Sequence, residues 1–244
     1  MLTSDQRRIK QIIIATIYVL CHISIFGSLV FVLWPEPPEE PDQGPVYQDL
    51  EVEEFTLLEL GNDRVDLVAE IHNPNPNVGL EEFQYQFLLE KDDEQEIITG
   101  TSYITPGVPR RYVAEINYLY SGYDLIDVTV TQTSPWEQLG RIADPSLVVR
   151  NTNLFVDDRP GNTRTLSATI TNRSLYNIRN VDLIGVIRNQ EDEITAINTN
   201  RVRDITENEA RDFEMIWNTP IPEEDIDRKD IFWSVNILDQ EERY

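Results

Sequence analysis

With 244 residues and 44 acidic against 20 basic side chains, the chain carries a formal net charge of −24. That balance disfavours nucleic acid and anionic lipid surfaces as partners, because both are recognised by a basic face. A single cysteine excludes a disulfide within one molecule, and the only histidines are His22 and His72. With no glycine-rich phosphate loop, HExxH or paired-cysteine motif, the sequence assigns no catalytic residue, metal ligand or cofactor, and no small-molecule substrate is evident.

Residues 1–11 form a short tail containing Arg7, Arg8 and Lys10. From Ile12 to Leu33 no residue carries a formal charge. A helix over this run reaches about 33 Å at about 1.5 Å per residue, enough for a hydrocarbon core of about 30 Å. The run is too long for a cleaved signal peptide. Tyr18-Val19-Leu20 before Cys21 are too large for a lipoprotein signal. The expectation is an uncleaved transmembrane helix over residues 12–34, with Trp34 at its outer interface. Basic residues before the span and Glu36, Glu39, Glu40 and Asp42 after it place the N-terminus in the cytoplasm and the rest outside the cell membrane. Three basic residues and one acidic residue precede Pro35, leaving 17 basic against 43 acidic beyond it, a net −26. Within the span, Cys21, Ser24 and Ser28 share a small-residue face bordered by His22, a pattern suited to association with a second helix and so to a homo-oligomer or a protein partner. A neutral histidine in a lone span is the plainer alternative.

Residues 35–46 begin PEPPEEPDQG. Proline fixes φ and the carboxylates repel, so the segment is an extended spacer. Period-two alternation then takes over: Leu50, Val52, Phe55 and Leu57; Val65, Leu67, Ala69 and Ile71; Phe83, Tyr85, Phe87 and Leu89; Ile97 and Ile98; Tyr112, Ala114 and Ile116; Ile126, Val128 and Val130. A second set follows from Leu147 to Ile237. Leu67-Val-Ala-Glu-Ile-His-Asn73 matches Leu166-Ser-Ala-Thr-Ile-Thr-Asn172, and acidic turns at Lys91–Glu94 and Gln190–Glu193 follow at nearly the same spacing. The fold expected is mainly β: the N-terminal helix plus two tandem immunoglobulin-like antiparallel β-sandwiches, over residues 47–133 and 146–244, joined by a linker at 134–145.

Asn73, Pro74, Asn75 and Pro76 end one strand, and Asn172 ends its counterpart. Asparagine bonds its own turn backbone and a pre-proline residue stays extended, so these are structural turns. The first of them, L-V-A-E-I-H-N-P-N-P-N, resembles the WHy/LEA14-type module of late-embryogenesis-abundant proteins. T-I-T-N-R-S-L-Y-N-I-R-N-V-D-L resembles the bacterial FxLYD-type domains, although Leu183-Ile184-Gly185 departs from that motif. These resemblances imply sandwich folds, an envelope location and, for the first, an association with stress tolerance; they imply no catalytic residues.

In the linker, Pro135 is expected to start a short helical turn that puts Trp136 and Leu139 on one side, with Trp136 packed between the domains. Tyr118, Tyr120 and Tyr123 beside Gly122 form an aromatic loop suited to partner contact. Asp157-Asp158 with Asn162, and Glu223-Glu224-Asp225 with Asp227, lack the spacing of a calcium loop and are expected to be solvated acidic turns. The function expected is a non-catalytic, membrane-anchored component of the cell envelope that presents two domains for protein interaction or structural support. The alternative is a LEA-like module using a cavity inside the first domain.

Overall fold

The computed structural model describes residues 4–33, 45–61, 63–92, 94–119, 122–138, 144–156, 163–239 and 242. Trp34, the proline-rich part of the spacer, Tyr120, Leu139, Asp157-Asp158 and Asn162 lie outside these residues. The chain separates into two compact units, one up to Val46 and one from Tyr47 onwards. The first holds a single helix, α1 (Ser4–Leu33). Within it, Arg8–Ser28 is long and apolar enough to cross a membrane, and none of that stretch is buried.

The second unit is built from antiparallel sheets. β1 (Glu51–Gly61), β2 (Arg64–His72) and β5 (Arg110–Leu119) form one sheet in the order β1-β2-β5. β3 (Val78–Lys91), β4 (Glu94–Ile104) and β6 (Asp124–Gln132) form its partner in the order β4-β3-β6, extended by β7 (Trp136–Gln138) against β3. Then the plan repeats. β8 (Leu147–Val156), β9 (Arg164–Asn172) and β12 (Ala210–Trp217) give the order β8-β9-β12, while β10 (Ile178–Arg188), β11 (Ile194–Ile205) and β13 (Arg228–Ser234) give β11-β10-β13. The duplication visible in sequence is therefore a duplicated six-strand plan. Each sandwich has its own core, the first around Leu67, Ile71, Phe83, Phe87 and Leu89, the second around Leu166, Ile170, Leu183, Ile187 and Trp217.

Two departures from simple alternation have the same cause. In β1 the apolar phase changes between Val52 and Phe55, where the register against β2 slips between Val52 and Glu54. In β8 the change from Val149 to Leu154 falls on a slip between Arg150 and Asn153. A bulge inserts an extra residue, so the side chains beyond it exchange faces.

The asparagine turns are buried brackets. Asn73 Nδ2 donates to Val78 O at 2.8 Å while its Oδ1 accepts Asn75 N at 2.9 Å. Asn172 Nδ2 donates to Tyr176 O at 2.9 Å and Ile205 O at 3.2 Å, and its Oδ1 accepts Ser174 N at 2.9 Å. Both backbone amides donate across to the loop before the fifth strand of their repeat, Asn73 N to Pro109 O and Asn172 N to Glu209 O, each at 2.9 Å. That loop needs a left-handed residue in both copies, Gly107 (φ 79°) and Asn208 (φ 61°). Asn75 further ties the chain entering β1, exchanging hydrogen bonds with Gln48.

One expectation is corrected. Residues 136–138 are a strand rather than a helical turn: Leu80 pairs with Trp136 and Val78 with Gln138. Trp136 packs on the first core, with its ring centroid 5.9 Å from that of Tyr47. A tryptophan beside a free edge of β3 gains more by extending that sheet than by forming an isolated turn. What joins the sandwiches is instead a third apolar cluster. Val68, Tyr112, Leu58, Ala114 and Ile116 of the β1-β2-β5 sheet pack on Ile184, Val186, Ile194 and Ile197 of the β11-β10-β13 sheet. The four sheets are thus stacked face to face, and the two inner ones are covered on both sides. Every residue of β2 from Val65 to Ile71 is consequently buried, as is every residue of β10 from Leu183 to Arg188. The outermost faces differ in chemistry. On one, Gln84 stands between Thr101 and Thr131, and Gln86 between Thr99 and Thr129. On the other, Ser167, Thr169 and Thr171 line the middle strand.

Replacing Asn172 by alanine strands three backbone groups, two of them in buried bonds, and the expected loss is about 2–4 kcal/mol in urea unfolding. Asn208→Ala, at an exposed left-handed position, is expected to cost about 1 kcal/mol. Equal losses in the two variants would remove the bracket role.

Candidate functional site

The seam between the inner sheets holds the buried charged residues among those described, Asp66, Glu70 and Arg188, because even-numbered residues of β2 point into it. Asp66, Val68, Glu70 and His72 therefore form one row, in which Asp66 (2 % exposed) and Glu70 (3 %) are buried carboxylates. Such groups are stable in a core only when paired or hydrogen-bonded.

Glu70 is paired with cations from both sheets. Tyr112 Oη donates to Glu70 Oε2 at 2.6 Å, and Arg110 Nη1 lies 2.9 Å from Oε1. From the opposite sheet, Arg188 Nη2 donates to Tyr112 Oη at 3.1 Å and to Glu54 Oε2 at 3.0 Å, and lies 3.5 Å from Glu70 Oε2. Arg188 Nη1 donates to Asp192 O within its own hairpin. Burial, with the hydrogen bond to Glu70 adding to it, pushes the Tyr112 phenol up to about 12. His72 sits at the rim, its Nδ1 3.7 Å from Glu53 Oε1.

A second ionic group closes another part of the seam. Asp182 of β10 accepts from Tyr103 Oη at 2.9 Å and Arg111 Nη2 at 3.2 Å, both from the first sandwich, and from Arg201 Nε at 2.7 Å. The Arg111 guanidinium lies 4.2 Å from the centroid of the Tyr103 ring. Desolvation raises the Tyr103 pKa, so that phenol stays a donor.

Asp66 is different. It stands opposite a bulge in β5, where Asn117 adopts φ 60°, and Asp66 Oδ1 accepts the Asn117 backbone N–H at 2.7 Å. Among the described residues no cation pairs with it, and desolvation raises its pKa from 3.8 to about 6. Asp66 lies on the wall of a cleft of about 390 Å³ lined by β1, β2 and β5 of the first sandwich and by β11, β12 and the segment after β12 of the second. Walls come from Leu60 and Ile116 on one side and Ile197, Ile216, Trp217 and Pro220 on the other. The 3-10 turn Glu223–Asp225 contributes Asp225 to the same cleft.

The other residues singled out in sequence lie away from this seam. On α1, His22 Nδ1 is 2.8 Å from Tyr18 O and Ser28 Oγ donates to Ser24 O at 2.8 Å, so these polar groups find partners within their own helix. Cys21 is exposed beside them. Tyr118 and Tyr123 are half-buried on the first core, their hydroxyls donating to Glu96 at 3.0 Å and Glu94 at 3.2 Å. Among the described residues no group of three or more His, Cys, Asp or Glu is placed to hold a metal ion. The seam itself escaped the sequence pattern because Asp66 and Glu70 read as a solvent face. A signal was present in Val181-Asp-Leu-Ile-Gly-Val-Ile187, an almost continuous apolar run of the kind expected from a strand buried on both sides. No family model matches the chain, and no similar curated protein is found.

Two outcomes are expected from substitutions here. Arg188→Met leaves Glu70 and Glu54 without their shared cation and is expected to cost about 3–5 kcal/mol in urea unfolding, against about 1–2 kcal/mol for Tyr112→Phe. Asp66 has a folded pKa raised above its unfolded value, so its ionisation opposes folding; stability should rise as pH falls from above about 6 towards 3.8. Asp66→Asn keeps the acceptor for Asn117 N–H and is expected to gain about 1–2 kcal/mol at pH 7.5, and almost nothing at pH 4. Thermal melts of both proteins at the two pH values check this.

Proposed function

We propose that the chain is a single-pass membrane protein whose N-terminus is cytoplasmic and whose fused pair of sandwiches stands outside the cell membrane as a non-catalytic interaction or structural component of the envelope. The observation that carries this reading is the pairing of a helix with an apolar stretch long enough for a bilayer and a body whose two sandwiches are held to each other through buried ion pairs. A rigid body on a tether presents surfaces at a fixed mutual angle, which serves binding and scaffolding. The resemblance of the two repeats to WHy/LEA14-type and FxLYD-type modules supports an envelope location. The alternative, a ligand held inside the first sandwich, is less favoured: Leu67, Phe83, Phe87 and Leu89 are fully buried there and fill the space a ligand would need.

Topology is tested by protease treatment of intact cells bearing a C-terminal epitope. Loss of the epitope from whole cells and its protection in inverted vesicles are expected; the opposite pattern would overturn the orientation. Pull-down from detergent-solubilised membranes tests for the partner, and a chain recovered alone would remove the interaction role.

A further inference from the structure

Three features of the cleft at the edge of the seam point to a ligand. The first is an imbalance of charge within one row of β2. Glu70 is met by Arg110 and Arg188, whereas Asp66, equally buried two turns of the pleat away, receives only one backbone N–H among the described residues. The second is the state of the donors that line the cleft. Asn198 Nδ2 is spent on Ile216 O, Thr195 Oγ1 on Asp225 O, Thr219 Oγ1 on Leu60 O and Trp217 Nε1 on Ile197 O. The side chains of Asn117 and Asn218 also line it, but among the described residues its charged side chains are all carboxylates, those of Glu59, Asp66 and Asp225, so the cleft presents net negative charge. The third is the apolar wall of Ile116, Ile216, Pro220 and the Trp217 ring, which suits an alkyl chain better than a hydrated inorganic ion.

We infer that this cleft is a binding site for an organic cation, an alkylated guanidinium or primary ammonium group whose N–H donors meet the Asp66 carboxylate while its alkyl stem lies along the apolar wall. A guanidinium or ammonium beside a carboxylate in a partly desolvated site forms a charge-assisted hydrogen bond about twice as strong as a neutral one. Two sources offer this chemistry, the side chain of an arginine or lysine on a partner protein and a free polyamine. The inference concerns the cleft alone and holds whether or not α1 crosses a bilayer. Among the described residues the other charged side chains lining the cleft are Glu59 from β1 and Asp225 from the 3-10 turn, and Arg64 Nη1 is spent on Asn117 O at 2.9 Å.

The test uses the full chain in non-ionic detergent, titrated with n-butylguanidinium, spermidine and a short arginine-containing peptide, and read through the amide resonance of Asn117, which donates to Asp66. Saturable shifts are expected at pH 7.5. Asp66→Asn, which preserves the Asn117 bond, is expected to weaken binding about tenfold or more. Lowering the pH to 5 should weaken wild-type binding roughly tenfold as the carboxylate takes up its proton near 6. That pH dependence should vanish in Asp66→Asn, which separates Asp66 from Glu59 and Asp225. Tighter binding of the peptide than of spermidine identifies a protein side chain as the source, and the reverse order a free amine; either order keeps the inference. Unchanged affinity in Asp66→Asn, equal binding of neutral n-butylurea, or no saturable shift with any cation at millimolar concentration would each overturn it.

Discussion

Arg188 is the contact on which the arrangement of the two sandwiches depends. It is only 7 % exposed, and it reaches from the second sandwich to the Tyr112 hydroxyl and the Glu54 carboxylate of the first. An apolar seam of Val68, Ile116, Ile184 and Ile197 supplies adhesion, but adhesion between two flat sheet faces is tolerant of sliding. A planar guanidinium with fixed donor directions is not. Any slip of one sheet over the other leaves Glu70 and Arg188 buried without each other, at a cost of several kcal/mol. The ionic group therefore selects one register among the many that the hydrophobic contact would permit. Asp182, held by Tyr103 and Arg111 from the first sandwich, makes a second point of fixation, and two points on a face define an angle.

This division of labour explains what sequence reasoning reached and what it did not. Alternation of Phe83, Tyr85, Phe87 and Leu89 exposes a half-buried strand directly, and the match between Leu67–Asn73 and Leu166–Asn172 exposes the duplication. Phase changes at Val52/Phe55 and Val149/Leu154 were legible too, although only the pairing register identifies them as bulges. The seam was not legible, since a charge on a strand normally marks solvent and Glu70 and Asp66 are charges on a buried face. Their partners Arg188 and Asn117 are separated from them by 118 and 51 positions in the numbering, and the sheet stacking that brings them together has no local signature. Trp136 misled for the opposite reason. Its neighbours Pro135 and Gly140 read as linker, yet the open edge of β3 beside it captured the segment as β7.

The two sandwiches are not joined symmetrically. The first contributes its β1-β2-β5 sheet to the seam and the second contributes its β11-β10-β13 sheet, which occupies the other place in the repeated plan. Unlike faces of two like units meet, as in heterologous association, and such contacts can in principle be propagated indefinitely. Here the two outer faces break the series. Ser167 and Thr169 stand at the places that Val68 and Glu70 hold in the first repeat, and on β3 the residues between those facing the core are Gln84 and Gln86, flanked by threonines, where β10 carries Asp182, Ile184 and Val186 towards the seam.

That substitution pattern makes the molecule a pair that cannot be shortened. A chain reduced to either repeat would turn Ile184, Val186 and Ile197, or Val68 and Ile116, out to water as a continuous greasy strip flanked by uncompensated charge. Such a fragment would be driven to clump with others of its kind. Gain or loss of a repeat, the commonest way in which tandem arrays change length, is therefore closed to this lineage unless the exposed faces are rewritten at the same time.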